Sequence, residues 1–95
     1  MSMSRDEFLA ISGAKVHRLE FWLEQQWLIP QATDAGFSER EVARARLIQD
    51  LEAEFGVNDE GIDIILHLID QLHGMRRAFA HLRADLADRQ TRGSE

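Results

Sequence analysis

Cysteine is absent from this 95-residue chain and proline occurs once, at Pro30. Without a thiol there is no disulfide framework, no thiolate zinc site and no cysteine nucleophile, a composition that fits a cytoplasmic protein. Long hydrophobic runs are missing too: none approaches the roughly 18 residues that a membrane-spanning helix needs. The opening MSMSRDEFLAIS is acidic and polar, without the charged-then-apolar order of an export signal. Positive charge is scarce, with 11 Lys and Arg against 17 Asp and Glu and a net charge of -6. Such a balance repels a phosphate backbone, disfavours non-specific nucleic-acid binding and steers instead toward basic proteins. Segments of alternating polarity, the mark of a half-buried strand, are also lacking.

What is present reads as helices separated by short punctuation. Apolar residues make up 44% of the chain, enough for one modest core. A domain of this size is marginal unless a partner helps, so a single oligomeric folding unit is expected. The fold class is all-α. Ser4 followed by Glu7 forms a capping box for a short first helix carrying Phe8, Leu9 and Ile11, and Gly13 stops it. A second helix is expected from about Ala14 to Gln26, with Val16, Leu19, Trp22 and Leu23 at helical spacing. Helix, glycine turn, helix is the helix-turn-helix outline. Pro30 disfavours helical geometry at Ile29, which makes WLIP an exit into the polar loop QATDAG.

Ser38 and Glu41 form a second capping box, opening a helix in which Val42, Ala45, Ile48, Leu51 and Phe55 recur every three or four residues before Gly56. Asn58 caps the last helix, whose first turn holds Asp59 and Glu60, the charge sign that the positive end of a helix dipole prefers. This helix is expected to run to about Asp88. Ile65, Leu68, Leu72, Met75, Phe79, Leu82 and Leu86 then form an a/d seam of about three heptads. Few other apolar residues remain to cover Met75 through Leu86, so the seam calls for a second helix and the chain for self-association. Acids sit in the first part of this helix (Asp59, Glu60, Asp63, Asp70) and bases in the next (Arg76, Arg77, Arg83), which favours antiparallel pairing. Expected boundaries are a helix-turn-helix domain over 1–56, a dimerisation helix over 57–88 and a flexible tail over 89–95.

Catalytic and metal sites find little support. His67, Asp70 and His73 step around a helix by threes and give no compact tetrahedral set, while Ser4 and Ser38 serve as caps and lie in no triad or nucleophile-elbow pattern. No enzyme activity and no cofactor are expected. For binding, the candidates are Trp27, half-exposed beside the loop, and the acids Asp59, Glu60, Asp63 and Asp70. Residual DNA binding would fall to Lys15, Arg18 and Arg40, with Arg44 and Arg46 nearby, although bases scattered among acids are more often a solvated face.

FLAISGAKVHRLEFWLEQQWLIP followed by GFSEREVARARLIQDLEAEFGVNDEGIDIILHLIDQL resembles the N-terminal domain and dimerisation helix of the MerR superfamily. Trp22 and Glu24 lie where that family has an aromatic-acidic pair. Trp27 to Pro30 match its exit motif, and Leu47, Leu51, Phe55, Gly56, Val57 and Ile62 match its helix pair. Two features depart from it. The arginine-tyrosine wing element is absent, because Gly36-Phe37 runs directly into Ser38-Glu39, and residues 14–37 hold Lys15 and Arg18 against Glu20, Glu24 and Asp34. This reduced, acidic form is similar to the CbpM family of chaperone modulators, in which the resemblance implies binding to the J domain of a DnaJ-like co-chaperone, CbpA, and restraint of its activity.

The expected fold is thus a MerR-like helix-turn-helix with a shortened wing, then a helix pair ending in a long C-terminal dimerisation helix. The expected function is non-enzymatic modulation of a J-domain co-chaperone by an antiparallel homodimer, without membrane contact. A MerR-type DNA-binding transcriptional regulator is the alternative, and an oligomerisation module with no regulated partner a third reading.

Overall fold

The computed structural model describes residues 2–30 and 36–93, so most of the loop QATDAG lies outside the described residues. Four helices follow one another: α1 (Arg5–Ser12), α2 (Val16–Glu24), α3 (Glu39–Ala53) and α4 (Asp59–Gly93). Both capping boxes form. Ser4 Oγ accepts the Glu7 N–H at 3.2 Å while a Glu7 carboxylate oxygen accepts the Ser4 N–H at 3.2 Å. The Ser38–Glu41 pair opens α3 in the same reciprocal way, and the Glu41 carboxylate is buried there. Gly13 ends α1 at φ 74°, its N–H returned to the Leu9 carbonyl at 3.0 Å. Among the described residues the extended backbone is limited to one isolated bridge, Met3 with Phe37, which ties the N-terminal segment to the residues leading into α3. Phe37 stacks on Phe8 with ring centroids 4.4 Å apart, so the bridge also closes the core at that edge.

The α2 exit differs from the sequence expectation. The helix starts at Val16 and stops at Glu24, short of the proline, because Gln26 takes a left-handed backbone at φ 61°. Its N–H reaches the Leu23 carbonyl at 3.1 Å and the Trp27 N–H reaches Trp22 at 2.9 Å, a pair of bonds that satisfies the last carbonyls of the helix. Glycine usually fills this position, since a left-handed conformation costs an L-residue roughly 1–2 kcal/mol. Gln26→Gly relieves that strain against a smaller loss of chain entropy, so thermal or denaturant unfolding should show a gain of up to about 1 kcal/mol. A loss would mean that the glutamine side chain contributes a contact.

The chain divides into two compact units, Met1–Asp63 and Ile64–Glu95. In the first, α1 packs on α3, and the buried apolar residues are Phe8, Leu19, Trp22, Trp27, Leu28, Phe37, Val42, Ala45, Ile48 and Ile62. Phe55, which the sequence pattern places with Val42, Ala45 and Ile48, is instead 71% exposed. α3 ends at Ala53, and the turn that follows rotates Phe55 off the apolar face. In the second unit Leu66 is buried, Ile65 and Ile69 are half-buried, and the large apolar residues from Leu68 onward are exposed. α4 continues beyond Asp88, where Arg89 suits the negative end of the helix dipole and Thr91 Oγ1 donates to the Ala87 carbonyl at 3.0 Å.

Candidate functional site

In a helix-turn-helix the second helix faces the ligand, and here that helix is α2. Leu19 and Trp22 fill the core, which leaves Val16, His17, Glu20 and Glu24 outward. Glu20 is paired with Arg5 of α1 at 3.2 Å. Arg18, the only arginine of α2, is turned inward. Its guanidinium pairs with Glu52 of α3 and with Asp59 of α4 at 3.5 Å. The same group lies over Phe21 at 5.2 Å and Trp22 at 5.9 Å, while its Nε is buried without a hydrogen-bond partner. A cation engaged by two carboxylates and two rings ties three helices together, an arrangement that leaves less of the Arg18 charge for a phosphate than the sequence pattern implies. Lys15 is exposed where α2 begins, and Arg40 is exposed in the first turn of α3.

Trp27 needs correction. It is 4% exposed, with its ring edge-on to Phe21 at 5.4 Å and its Nε1–H donated to Asp63 Oδ1 at 2.9 Å. Arg44 Nε donates to the Trp27 carbonyl as well. The indole is therefore a core element and not a half-exposed contact, because the left-handed turn at Gln26 folds it back onto α2. Asp59, Glu60 and Asp63 lie on the first turns of α4 in the first unit and are exposed, whereas Asp70 lies in the second unit. Asp59 holds Arg18 and Asp63 holds Trp27. Glu52 joins this region through Arg18. No signal in the sequence marked it, since the two residues are 34 positions apart.

Charge is divided unevenly between the units. Met1–Asp63 has six Lys and Arg against thirteen Asp and Glu, a net of -7, and Ile64–Glu95 has five against four, a net of +1. Long-range repulsion of a polyanion is therefore concentrated on the helix-turn-helix unit itself. On α4, Leu68, Leu72, Met75, Phe79, Leu82 and Leu86 are each between 45% and 70% exposed, an apolar stripe that nothing else in its own unit covers. Ile65, at the head of the seam, is half-buried. Among the described residues no three His, Asp or Glu side chains converge as a metal site requires, and no helix is long and apolar enough to cross a membrane.

A family model described as MerR HTH family regulatory protein matches residues 3–84. The chain belongs to that family. No curated protein and no solved structure matches it. The MerR match takes in the helix-turn-helix pair α1–α2, the Phe37 bridge, α3 and α4 as far as Ala84. Within the matched segment, the outward α2 surface bears Glu20 and Glu24, and Arg18 is withdrawn into the helix packing.

Proposed function

We propose that this MerR-family chain is a cytoplasmic, non-enzymatic chaperone modulator: a homodimer that binds the J domain of a CbpA/DnaJ-like co-chaperone and restrains its activity. The observation that carries this reading is the outward side of α2, acidic where a DNA reader needs cations, on a unit of net charge -7. Phosphate contacts supply most non-specific DNA affinity, and a surface of this sign lacks them. A basic helix of a J domain is the complementary partner, with attraction acting mainly on the association rate. Dimerisation is supported by the exposed α4 stripe, and antiparallel pairing by the acidic start and Arg-rich continuation of that helix.

The test titrates the purified chain with the J-domain protein of its own host and, in parallel, with random duplex DNA at physiological salt. The expected result is J-domain binding that weakens with added salt, and duplex binding weaker than about 10⁻⁴ M, the weak end of the non-specific range. Glu60 is the acid to reverse, because Asp59 and Asp63 are engaged in holding the fold. Glu60→Lys should slow association severalfold and flatten its salt dependence. Micromolar duplex binding with a steep salt slope, and no response to the J domain, would establish the DNA-binding regulator that MerR family membership otherwise suggests.

A further inference from the structure

Phe55 is a large apolar side chain on an unusually well-fastened turn. Between the end of α3 and the start of α4, Gly56 takes a left-handed backbone at φ 63° and the Val57 N–H returns to the Leu51 carbonyl at 3.0 Å. Asn58 Oδ1 accepts the Gly61 N–H at 2.8 Å, and Arg18 joins Glu52 before the turn to Asp59 after it. Gly61 suits this closure, since a Cβ there would stand 2.7 Å from Val57 Cγ1 and would force that side chain to shift. The backbone under Phe55 is thus ordered from both sides while the ring itself remains 71% exposed. Of its sequence neighbours at the end of α3 and the start of α4, Asp50, Glu54 and Glu60 are exposed acids, while Glu52 and Asp59 are paired with Arg18.

We infer that Phe55 is an aromatic anchor for a partner protein, and that the segment it receives is a basic helix with an apolar face. Aromatic residues on pre-ordered backbone lose little entropy on binding, and a central apolar contact inside a charged rim is the usual anatomy of an interaction hot spot. The sign of the rim sets the sign of the partner. A second copy of this chain fits less well. The Arg-rich part of α4, residues 76–93, offers only Phe79, Leu82 and Leu86 as large apolar side chains, and the seam employs all three. Outside the seam α4 exposes Ile64, but that residue lies in the acidic first part of the helix, which would set acid against acid around Phe55. The inference rests on the protein-binding reading above and adds to it the residue around which the contact is built.

The experiment measures binding of the wild-type chain, Phe55→Ala and Phe55→Trp to two probes: the host's J-domain protein, and a synthetic Lys/Leu peptide patterned as an amphipathic helix. Sedimentation of each variant accompanies the titrations. Phe55→Ala should weaken binding about thirtyfold with little change in its salt dependence, and Phe55→Trp should restore it. Because the ring is exposed, helicity and melting should be unaffected. If the peptide binds in a Phe55-dependent way and the J domain does not bind, the surface stands and the J-domain reading falls. If the J domain binds equally well to wild type and Phe55→Ala, the reading stands and the anchor is overturned. Failure of both probes to bind overturns both, and dissociation of the dimer in Phe55→Ala would assign the residue to self-association instead.

Discussion

Leu72→Asp combined with Phe79→Asp is expected to leave a monomer of 10.9 kDa at micromolar concentrations where the proposed dimer of the parent chain would sediment at twice that mass. Both side chains are exposed in the single chain, so neither substitution removes a contact from the core of the first unit. In a seam-paired dimer the same positions are covered. Burying unpaired carboxylates there costs several kcal/mol, equivalent to a dissociation constant weakened by a factor of about a thousand or more. The first unit should still melt cooperatively. The free α4 should lose helicity toward its C-terminal end, because a helix without tertiary support is marginal even at favourable composition. Sedimentation velocity with far-ultraviolet circular dichroism reads both effects. A parent chain that sediments as a monomer removes the dimer from the proposed function, and a double variant that stays dimeric moves the interface to another surface.

Trp27→Ala tests the correction at that residue. A buried indole packed edge-on to Phe21 and bonded to Asp63 should cost about 3–5 kcal/mol on truncation. In a domain of this size that corresponds to a fall in melting temperature of about 15–30 °C at fixed protein concentration. Total stabilities are commonly about 5–15 kcal/mol, so the variant comes close to unfolding. Trp27→Phe keeps the apolar body and loses only the donor to Asp63, and should cost about 1–2 kcal/mol. A half-exposed binding tryptophan behaves differently: its truncation lowers partner affinity and leaves the melting temperature in place.

Much of the fold was legible because its determinants are local. Ser4 with Glu7, and Ser38 with Glu41, satisfy the first N–H groups of their own helices whatever surrounds them. The three-and-four spacing from Leu68 to Leu86 marks one face of any helix that contains it, and the exposure of that face follows from the spacing and the shortage of other apolar residues. Boundaries were less legible. Pro30 is a strong breaker, but α2 had already ended at a left-handed glutamine, a residue with no special preference for that geometry. Phe55 continued the apolar period of α3 by one step after the helix itself had stopped, and so changed from a core residue into an exposed one.

The sequence by itself determined the helical class, the capped starts of α1, α3 and α4, the apolar stripe on α4, the deficit of cations and the likeness to MerR regulators, since each depends on spacing within a few residues or on composition alone. Tertiary structure decided what the individual side chains do. Arg18 meets Glu52 across 34 positions and Trp27 meets Asp63 across 36, pairings that exist only once α2, α3 and the start of α4 have packed. A sequence displays a base, an acid and two tryptophans without saying which face each will occupy. Packing settles that by desolvation: an arginine beside two aromatic rings is retained there because two carboxylates compensate its charge. The Trp27 indole is buried with its one donor on Asp63, and Trp22 is buried for its apolar body alone, its Nε1 having no hydrogen-bond partner among the described residues.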